Sequence, residues 1–125
     1  PKRSKNQISN DPEDLEFYID EKQITQVLIN LAKNGLQSVE STKGGKVSMI
    51  AGIDENGLKY IDIRDNGPGI SPELMDEIFV PFFTTKREGT GIGLSLSKRV
   101  MQLHGGGIQV RSIPDKETVF RLTFA

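Results

Sequence analysis

The sequence predicts an α+β domain in which helices cover one face of a mixed, mostly antiparallel sheet. Strand-like segments alternate apolar and polar residues, whereas helical segments repeat apolar residues every three or four positions. From these two periods we expect about five strands and about three helices. The strand-like segments are residues 15–19, 46–53, 58–65, 108–113 and 117–124, and the helical segments are residues 20–41, 71–79 and 94–104.

Composition limits both the size and the chemistry of the protein. With 125 residues, the chain is expected to form a single domain over residues 1–125. It carries 16 Lys and Arg against 17 Asp and Glu, so no global basic field attracts nucleic acid or anionic lipid. The absence of cysteine excludes disulfides, thiolate metal sites and cysteine nucleophiles. No apolar run reaches membrane-spanning length, and we expect no direct membrane contact from this chain. We expect a cytoplasmic location, which includes the cytoplasmic portion of a membrane-anchored protein.

The first half of the chain is expected to begin with a polar tail and a strand, followed by a long helix. Residues 1–12 are polar and predict a flexible segment or an edge strand. Asp20 is placed to cap the helix, with Gln23 at the capping-box position. The sequence Thr-Lys-Gly-Gly at residues 42–45 ends the helix.

One face of this long helix is neither apolar nor simply charged. At 100° per residue, Asn30, Lys33, Asn34 and Gln37 fall together. A carboxamide oxygen accepts a hard cation and a lysine attracts phosphate, which indicates a possible binding face. An ordinary solvated face is the alternative.

Asp65 falls on the inward side of its strand, because it shares the period-two face of Ile61 and Ile63. A buried carboxylate needs a donor, either a backbone N–H in a turn or an N–H of a ligand. Gly67 and Gly69, on either side of a proline, predict a tight turn in which backbone closely approaches whatever Asp65 holds.

Ser71 and the proline after it predict the start of a short helix that ends near Phe79. The phenylalanines of residues 79–83 are expected to pack in the core. Residues 84–88 have no apolar periodicity and predict an exposed loop.

Residues 89–94 are rich in glycine and lead into the helix predicted at residues 94–104. A glycine-rich segment before a helix N-terminus favours anions, because of the unpaired N–H groups and the helix dipole. The spacing matches neither a P-loop nor the dinucleotide fingerprint. His104 is the only histidine and closes this helix, with glycine after it as a left-handed cap; we expect it to be structural rather than catalytic.

Four of these segments, taken in chain order, resemble the sequence motifs of the GHKL ATPases. Within that family they are most similar to the catalytic, ATP-binding domain of sensor histidine kinases. The resemblance extends from residue 15 to the C-terminus, and residues 82–97 are most similar to the nitrogen-regulation type. Glu117 stands where the family usually has glycine, directly before Thr118. The segments are residues 30–34 (N box), 65–69 (G1 box), 79–83 (F box) and 89–94 (G2 box).

The resemblance implies a Bergerat-type α/β two-layer sandwich, with residues 80–93 as a lid over the nucleotide. It assigns Asp65 to the exocyclic amine of adenine and the side-chain oxygen of Asn34 to Mg²⁺, and it makes Asn30, Lys33 and Asn34 the catalytic residues. The nucleotide-binding residues that it implies are Asn30, Asn34, Gln37, Asp65, Gly67, Gly69, Ile70, Thr84, Thr85, Lys86, Gly89, Thr90, Gly91, Ile92, Gly93, Leu94 and Thr118.

The implied activity is that of a protein-histidine kinase that binds Mg-ATP and donates the γ-phosphoryl group. The acceptor is a histidine on a separate dimerisation domain of the same kinase, and a response regulator is served indirectly. In the gyrase and chaperone branch a glutamate activates water at the position of Asn30. Asparagine cannot accept a proton at neutral pH, so we expect slow hydrolysis.

Three alternatives remain open at this point. A protein-serine kinase of the anti-sigma type shares the N, G1 and G2 boxes but usually lacks a segment like residues 80–86. A nucleotide-binding pseudokinase or ATP-gated switch would bind ATP without phosphoryl transfer. A plain α+β domain would bind no ligand at all.

Overall fold

The computed structural model describes the backbone of residues 4–9 and 14–18, and residues 19–81 and 93–124 with their side chains. Within these ranges, no helix is long and apolar enough to cross a membrane. The elements in chain order are β1 (Ser4–Ser9), β2 (Asp14–Ile19), α1 (Glu21–Ser38), β3 (Val47–Ile53), β4 (Lys59–Asp65), a 3-10 turn (Pro72–Leu74), α2 (Gly93–Leu103), β5 (Gly107–Ile113) and β6 (Glu117–Phe124).

Helix α1 begins as the sequence predicts, because Asp20 caps it. The carboxylate oxygen Oδ1 of Asp20 accepts the N–H of Gln23 at 3.2 Å, which satisfies one of the unpaired donors of the first turn. The helix ends at Ser38, three residues earlier than expected, and a series of turns follows. Gly44 in these turns has φ +70, a conformation that glycine adopts without penalty.

The described strands form two separate sheets, and every pairing is antiparallel. The main sheet has the order β3-β4-β6-β5, whereas β1 and β2 pair only with each other. The prediction of one mixed sheet with about five strands was therefore wrong in detail. The strands β3 and β4 form one hairpin and β5 and β6 form another, and the two strands of a hairpin are necessarily antiparallel. The central pair, β4 with β6, is antiparallel as well.

The short helix predicted from residue 71 to residue 79 is absent from the described structure, which has only the three-residue 3-10 turn there. Ser71 makes no side-chain capping bond. The backbone bonds in this segment, such as Leu74 N to Ser71 O at 3.0 Å, join residues three apart. Such bonds support single turns rather than a continuing α-helix.

The core lies between the inner face of the main sheet and the two helices. Phe79 contributes to it as predicted, with its ring packed edge-on against that of Phe120 at a centroid distance of 6.5 Å. Phe82 and Phe83 lie outside the described residues. The buried core residues are Ile19, Ile24, Val27, Leu31, Ile61, Ile63, Ile78, Met101, Phe120, Leu122 and Phe124.

His104 joins the two helices, which confirms its structural role. Its Nε2 accepts the N–H of Asp20 at 3.0 Å, and its Nδ1 lies 2.9 Å from the carbonyl oxygen of Val100. An imidazole with its proton on Nδ1 satisfies both contacts. Gly105 follows with φ +73, as the left-handed cap requires. Because His104 ends α2 and Asp20 precedes α1, the C-terminal end of α2 lies beside the N-terminal end of α1.

Helix α2 places fewer apolar residues in the core than its sequence pattern suggests. Met101 is fully buried, but Leu96 and Leu103 are more than half exposed. Ser97 is buried instead, and its hydroxyl donates to the carbonyl oxygen of Gly93 at 2.8 Å. This local bond lets a polar residue occupy an inward position without an unsatisfied hydroxyl.

The outer face of the main sheet buries a second aspartate, Asp62, which sequence periodicity places opposite to the core. Arg121 on β6 contacts both carboxylate oxygens of Asp62, at 2.7 and 2.8 Å, and Arg64 adds a contact at 3.4 Å. The guanidinium of Arg121 also stacks on the ring of Tyr60 at 3.9 Å. This ring lies over Gly52, where a Cβ would be only 2.6 Å from the tyrosine hydroxyl.

The hydrogen bond with Asp62 raises the pKa of Arg121 above its ordinary value, although partial burial acts in the other direction. Because its pKa is raised, Arg121 keeps its proton up to a higher pH than an ordinary arginine does. The guanidinium of Arg121 is therefore positively charged throughout the neutral pH range.

We expect Arg121→Leu to lower the free energy of unfolding by about 3 kcal/mol, because it leaves the fully buried carboxylate of Asp62 without its bidentate partner. Urea denaturation measures this loss. Arg111 is an exposed arginine on the same face of the sheet, and Arg111→Leu is the matched control, expected within about 0.5 kcal/mol of the wild type. Equal losses in the two variants would contradict the importance of the ion pair.

Candidate functional site

The candidate site is organised around Asp65, the last residue of β4. Its side chain is on the inner face of the sheet and only 6% exposed, as period-two counting predicts. The carboxylate oxygen Oδ1 accepts the backbone N–H of Gly67 at 3.0 Å. In the sheet register, Asp65 lies opposite Val47 on one side and Thr118 on the other. Thr118 is also buried, so an acid and a hydroxyl lie side by side under the helical layer.

Two glycines allow backbone to approach Asp65 closely. A Cβ on Gly35 of α1 would lie 3.2 Å from both methyl groups of Val47 and 3.7 Å from the Cβ of Asp65. A Cβ on Gly67 would lie 2.7 Å from the hydroxyl of Ser38 and 2.8 Å from its carbonyl oxygen. Any larger residue at Gly67 would therefore push the turn after β4 away from the end of α1.

The polar face predicted for α1 lies next to this acid. Asn30 and Asn34 are half-buried, whereas Lys33 and Gln37 are exposed to solvent. The side-chain oxygen of Asn30 accepts from the amide of Gln26 at 3.2 Å, one turn earlier. Asn34 directly precedes Gly35, the residue at which the backbone of α1 comes close to Asp65.

The N-terminus of α2 lies at the other end of the same face. A Cβ on Gly93, the first residue of α2, would be 3.9 Å from the Cγ and Nδ2 atoms of Asn30. The first turn of an α-helix has N–H groups without intrahelical acceptors and a positive dipole end. Asn30 is five residues before Gly35, which corresponds to about 7.5 Å along the helix axis.

These features follow one another along the axis of α1, with different chemistry at each end. At one end a buried carboxylate can accept an N–H from a bound molecule. In the middle, carboxamide oxygens can contact a hard cation. At the other end, the start of α2 favours a negative charge. A molecule that carries an amine at one end and phosphates at the other matches this order.

A loop and a hairpin close the end of the site at Asp65. The loop is formed by residues 66–71, and it is bound to the β5–β6 hairpin by two hydrogen bonds. The N–H of Ile70 donates to the hydroxyl of Ser112 at 2.8 Å, and the N–H of Asp115 donates to the carbonyl oxygen of Pro68 at 2.9 Å. Gly69, in the same loop, has φ +86.

A surface cavity of about 260 Å³ adjoins this loop. Its lining includes Gly67, whose N–H donates to the carboxylate of Asp65. Hydroxyl groups at the end of α1 form one wall. The lining residues are Ser38, Ser41, Thr42, Asn66, Gly67, Pro68 and Asp115.

The structure brings together the predicted site residues of α1, β4, the loop after β4, the start of α2 and β6. Gly69, Ile70, Gly93 and Leu94 are half-buried within this arrangement. Most of the predicted lid, residues 80–93, falls outside the described part of the chain. The predicted residues that lie outside it are Thr84, Thr85, Lys86, Gly89, Thr90, Gly91 and Ile92.

Sequence analysis missed two residues that support the site, Ser38 and Ser112. Ser38 was passed over because it closes a helix, where a hydroxyl is common. Ser112 had a detectable signal: it follows Ile108 and Val110 on the inward positions of its strand, so a hydroxyl replaces an expected apolar residue. Such a substitution on an inward position indicates a buried hydrogen bond.

The carboxamide of Asn34 has the chemistry of a magnesium ligand, provided that the ion binds together with a polyphosphate. Magnesium takes oxygen ligands, retains several waters, and is usually held by few protein groups plus phosphates. A single carboxamide oxygen meets this requirement. Within the described residues, no group of three or more His, Asp or Glu could form an all-protein metal site.

Comparison with known proteins places the chain in a family. Residues 19–125 match the family described as "Histidine kinase-, DNA gyrase B-, and HSP90-like ATPase", and the chain belongs to this family. The match includes every element that contributes to the site: α1, β4, the loop after β4, α2 and the β5–β6 hairpin.

The chain is similar to parts of two curated kinases and to one solved domain. It is 43% identical over 101 residues to sporulation kinase D of Bacillus subtilis (80% of this chain, 19% of that protein). It is 41% identical over 107 residues to sensor histidine kinase ZraS of Escherichia coli K12 (86% and 22%). The nucleotide-free catalytic domain of histidine kinase ThkA superimposes with a TM-score of 0.77 at 36% identity (91% of this chain, 73% of that one).

The chain thus spans about a fifth of the length of the two curated kinases, 19% and 22%. The similarity to the ThkA domain confirms the predicted two-layer fold of the histidine kinase catalytic domain. The proposed nitrogen-regulation subgroup stays a prediction.

We expect Gly67→Ala to destabilise the protein by about 1–3 kcal/mol, because its methyl group would collide with Ser38 and displace the turn that holds Asp65. Thermal denaturation followed by circular dichroism measures the change. Gly93→Ala is the matched control: among the described residues, the atoms nearest to its added methyl group are those of the Asn30 carboxamide at 3.9 Å, and alanine favours a helix. A larger loss for Gly93→Ala than for Gly67→Ala would contradict the packing described for the turn.

Proposed function

We propose that this chain is the ATP-binding catalytic domain of a sensor histidine kinase, formed by residues 1–125. It binds Mg-ATP and donates the γ-phosphoryl group to a histidine on a separate dimerisation domain. The observation that carries the proposal is the buried carboxylate of Asp65 at one end of α1, with carboxamides and a helix N-terminus toward the other. Family membership supports ATP as the substrate.

Asp65 selects adenine in this proposal. A carboxylate accepts the N–H of the exocyclic amine, which adenine carries on its six-membered ring. Guanine presents a carbonyl oxygen at the same ring position, and two acceptors facing each other repel. Thr118, opposite Asp65 in the sheet register, is proposed to meet the edge of the same base.

Asn34 is proposed as the protein ligand of Mg²⁺, with Asn30 beside it and Lys33 near the phosphates. When bound, the ion neutralises phosphate charge, which is a main requirement of phosphoryl transfer. The chain itself contributes position: α1 presents two carboxamides one turn apart, and the start of α2 presents N–H groups to the phosphates.

The absence of a carboxylate at position 30 favours transfer over hydrolysis. Asn30 cannot take a proton from water at neutral pH, so a water molecule near the γ-phosphate is not activated by it. The phosphoryl group is then retained for a protein acceptor. This property argues against an ATP-hydrolysing clamp.

His104 does not serve as the acceptor in this proposal. Both ring nitrogens are engaged, one with the N–H of Asp20 and the other with the carbonyl oxygen of Val100. The ring is also buried at the opposite end of α2 from Gly93. The acceptor is therefore a histidine of another domain of the parent kinase, and a response regulator receives the phosphoryl group from it. We place this reaction in the cytoplasm.

The residues proposed for the phosphates and the lid complete the site. Residues 80–93 are proposed to form the lid, with Lys86 and the glycines Gly89, Gly91 and Gly93 at the phosphates. The fit of Gly93 beside Asn30 supports this proposal. The other roles stay predictions, as do those of Gln37, Gly69 and Ile70 at the nucleotide.

We expect Asp65→Asn to weaken ATP binding about tenfold or more, because the amide replaces a charged acceptor of the adenine amine. Calorimetry with ATP and with inosine triphosphate, which lacks the amine, measures the effect. The wild type should prefer ATP, and the variant should lose or reverse this preference, because the amide N–H can donate to the carbonyl oxygen that inosine carries in place of the amine. An unchanged preference in a folded variant would contradict the adenine assignment.

We expect the chain to phosphorylate a separately prepared dimerisation-histidine domain of a related kinase, but not itself. The measurement is incubation with labelled ATP and Mg²⁺, followed by detection of acid-labile phosphohistidine. Asn34→Ala should abolish the transfer, whereas His104→Gln should retain it. Label on His104 of the isolated chain would contradict the proposed acceptor, and ATP binding without any transfer would favour a pseudokinase.

A further inference from the structure

Ser112 is a partly buried hydroxyl that the proposed function does not use. It lies on an inward position of β5, directly opposite Thr118 in the register of the β5–β6 hairpin. We propose that Ser112 is a positioning residue for the nucleobase: it holds residues 66–71 in place and sets the direction in which the hydroxyl of Thr118 points. This inference rests on the proposed function, because it concerns the adenine end of the same site.

The first part of the argument is the contact with the loop. The oxygen of Ser112 accepts the N–H of Ile70 at 2.8 Å, which is a short hydrogen bond for a backbone N–H. The backbone of Gly69 also lies close to the hydroxyl of Ser112, since a Cβ at Gly69 would be only 2.8 Å from the hydroxyl oxygen. The loop therefore rests directly on Ser112, and this loop also carries Gly67, the donor to Asp65.

The second part is a count of protons on two neighbouring hydroxyls. Ser112 has one proton, and it can reach two acceptors: the hydroxyl oxygen of Thr118 at 3.2 Å and the carbonyl oxygen of Glu117 at 3.5 Å. The shorter contact is favoured, because 3.5 Å is near the limit for an O–H donor. We therefore take Ser112 as the donor, since the opposite direction would leave its proton only the 3.5 Å contact with Glu117. Thr118 then accepts from Ser112, and its own proton points elsewhere.

The third part is where the Thr118 proton can go. Thr118 is buried on the inner face, and its register partner on the other side is Asp65. A proton directed away from Ser112 on this face points toward the neighbourhood of Asp65, where the edge of the base is proposed to lie. Ser112 thus makes Thr118 a donor toward the base, while Asp65 is the acceptor. One donor and one acceptor read an edge of adenine more selectively than either group alone.

The test is a double-mutant cycle on ADP binding, measured by calorimetry. Ser112→Ala should weaken ADP binding about five- to tenfold, which corresponds to one hydrogen bond. Thr118→Val should weaken it to a similar degree. Because Ser112 acts partly through Thr118 and partly through residues 66–71, the loss of affinity in the double variant should be smaller than the sum of the two single losses.

Thr123→Val provides the matched control. The hydroxyl of Thr123 also bridges β6 to β5, by donating to the carbonyl oxygen of Gly107 at 3.5 Å, but on the outer face of the sheet. This variant removes a longer hairpin contact of the same kind away from the site, and ADP affinity should be unchanged. Melting temperatures of all variants report any general loosening of the hairpin.

Each result decides between the possibilities. Additive effects of Ser112→Ala and Thr118→Val would overturn the control of Thr118 by Ser112, and an equal loss of affinity in Thr123→Val would overturn the positioning role as a whole. Both results would leave the proposed function intact. Normal ADP binding by Ser112→Ala would likewise overturn the positioning role and leave the proposed function intact. If the wild type bound no nucleotide, both this inference and the proposed function would fall together.

Discussion

The burial of one carboxylate at the end of β4 constrains the geometry around it. A buried charge is unfavourable unless it is hydrogen-bonded, and Asp65 accepts the N–H of Gly67 immediately after the strand. That contact requires the chain to turn sharply between the sheet and the end of α1, where only a glycine leaves room for Ser38. The position of α1, the shape of the loop and the access to the acid are consequences of this one arrangement.

Strand β4 buries two aspartates, and their surroundings differ in a way that separates stability from binding. Asp62 faces the outer side of the sheet, where Arg121 contacts both of its oxygens and Arg64 adds a further contact. The guanidinium groups of these arginines compensate the charge of Asp62, so this aspartate contributes to the stability of the fold. Asp65, three residues later, lies on the inner face beside the turn that contains Gly67, and it accepts the N–H of that glycine. In the proposed function it also accepts an N–H of the ligand amine.

Helix α1 connects the two ends of the site because it is rigid and continuous. Asp20 caps it, His104 attaches its start to the end of α2, and the antiparallel placement of α2 then brings Gly93 beside Asn30. The distance between an anion-favouring helix end and the buried acid is thereby set by helix geometry rather than by loops. A histidine far from the proposed chemistry thus contributes to the placement of the site.

The sequence by itself determined the local features: the capped helix, the hairpins, the inward side of Asp65, the polar face of α1 and the motifs of the ATPase family. These follow from spacing and from residue chemistry over a few positions, which periodicity records. Only the tertiary structure decided that β1 and β2 form their own sheet, that the segment after Ser71 is a single 3-10 turn, and that Leu96 and Leu103 remain exposed. It also decided that Asp62 is buried under arginines and that Ser112 meets Ile70. These contacts join residues far apart in the chain, such as Asp62 and Arg121, and their formation depends on which surfaces pack together, a property that no local period encodes.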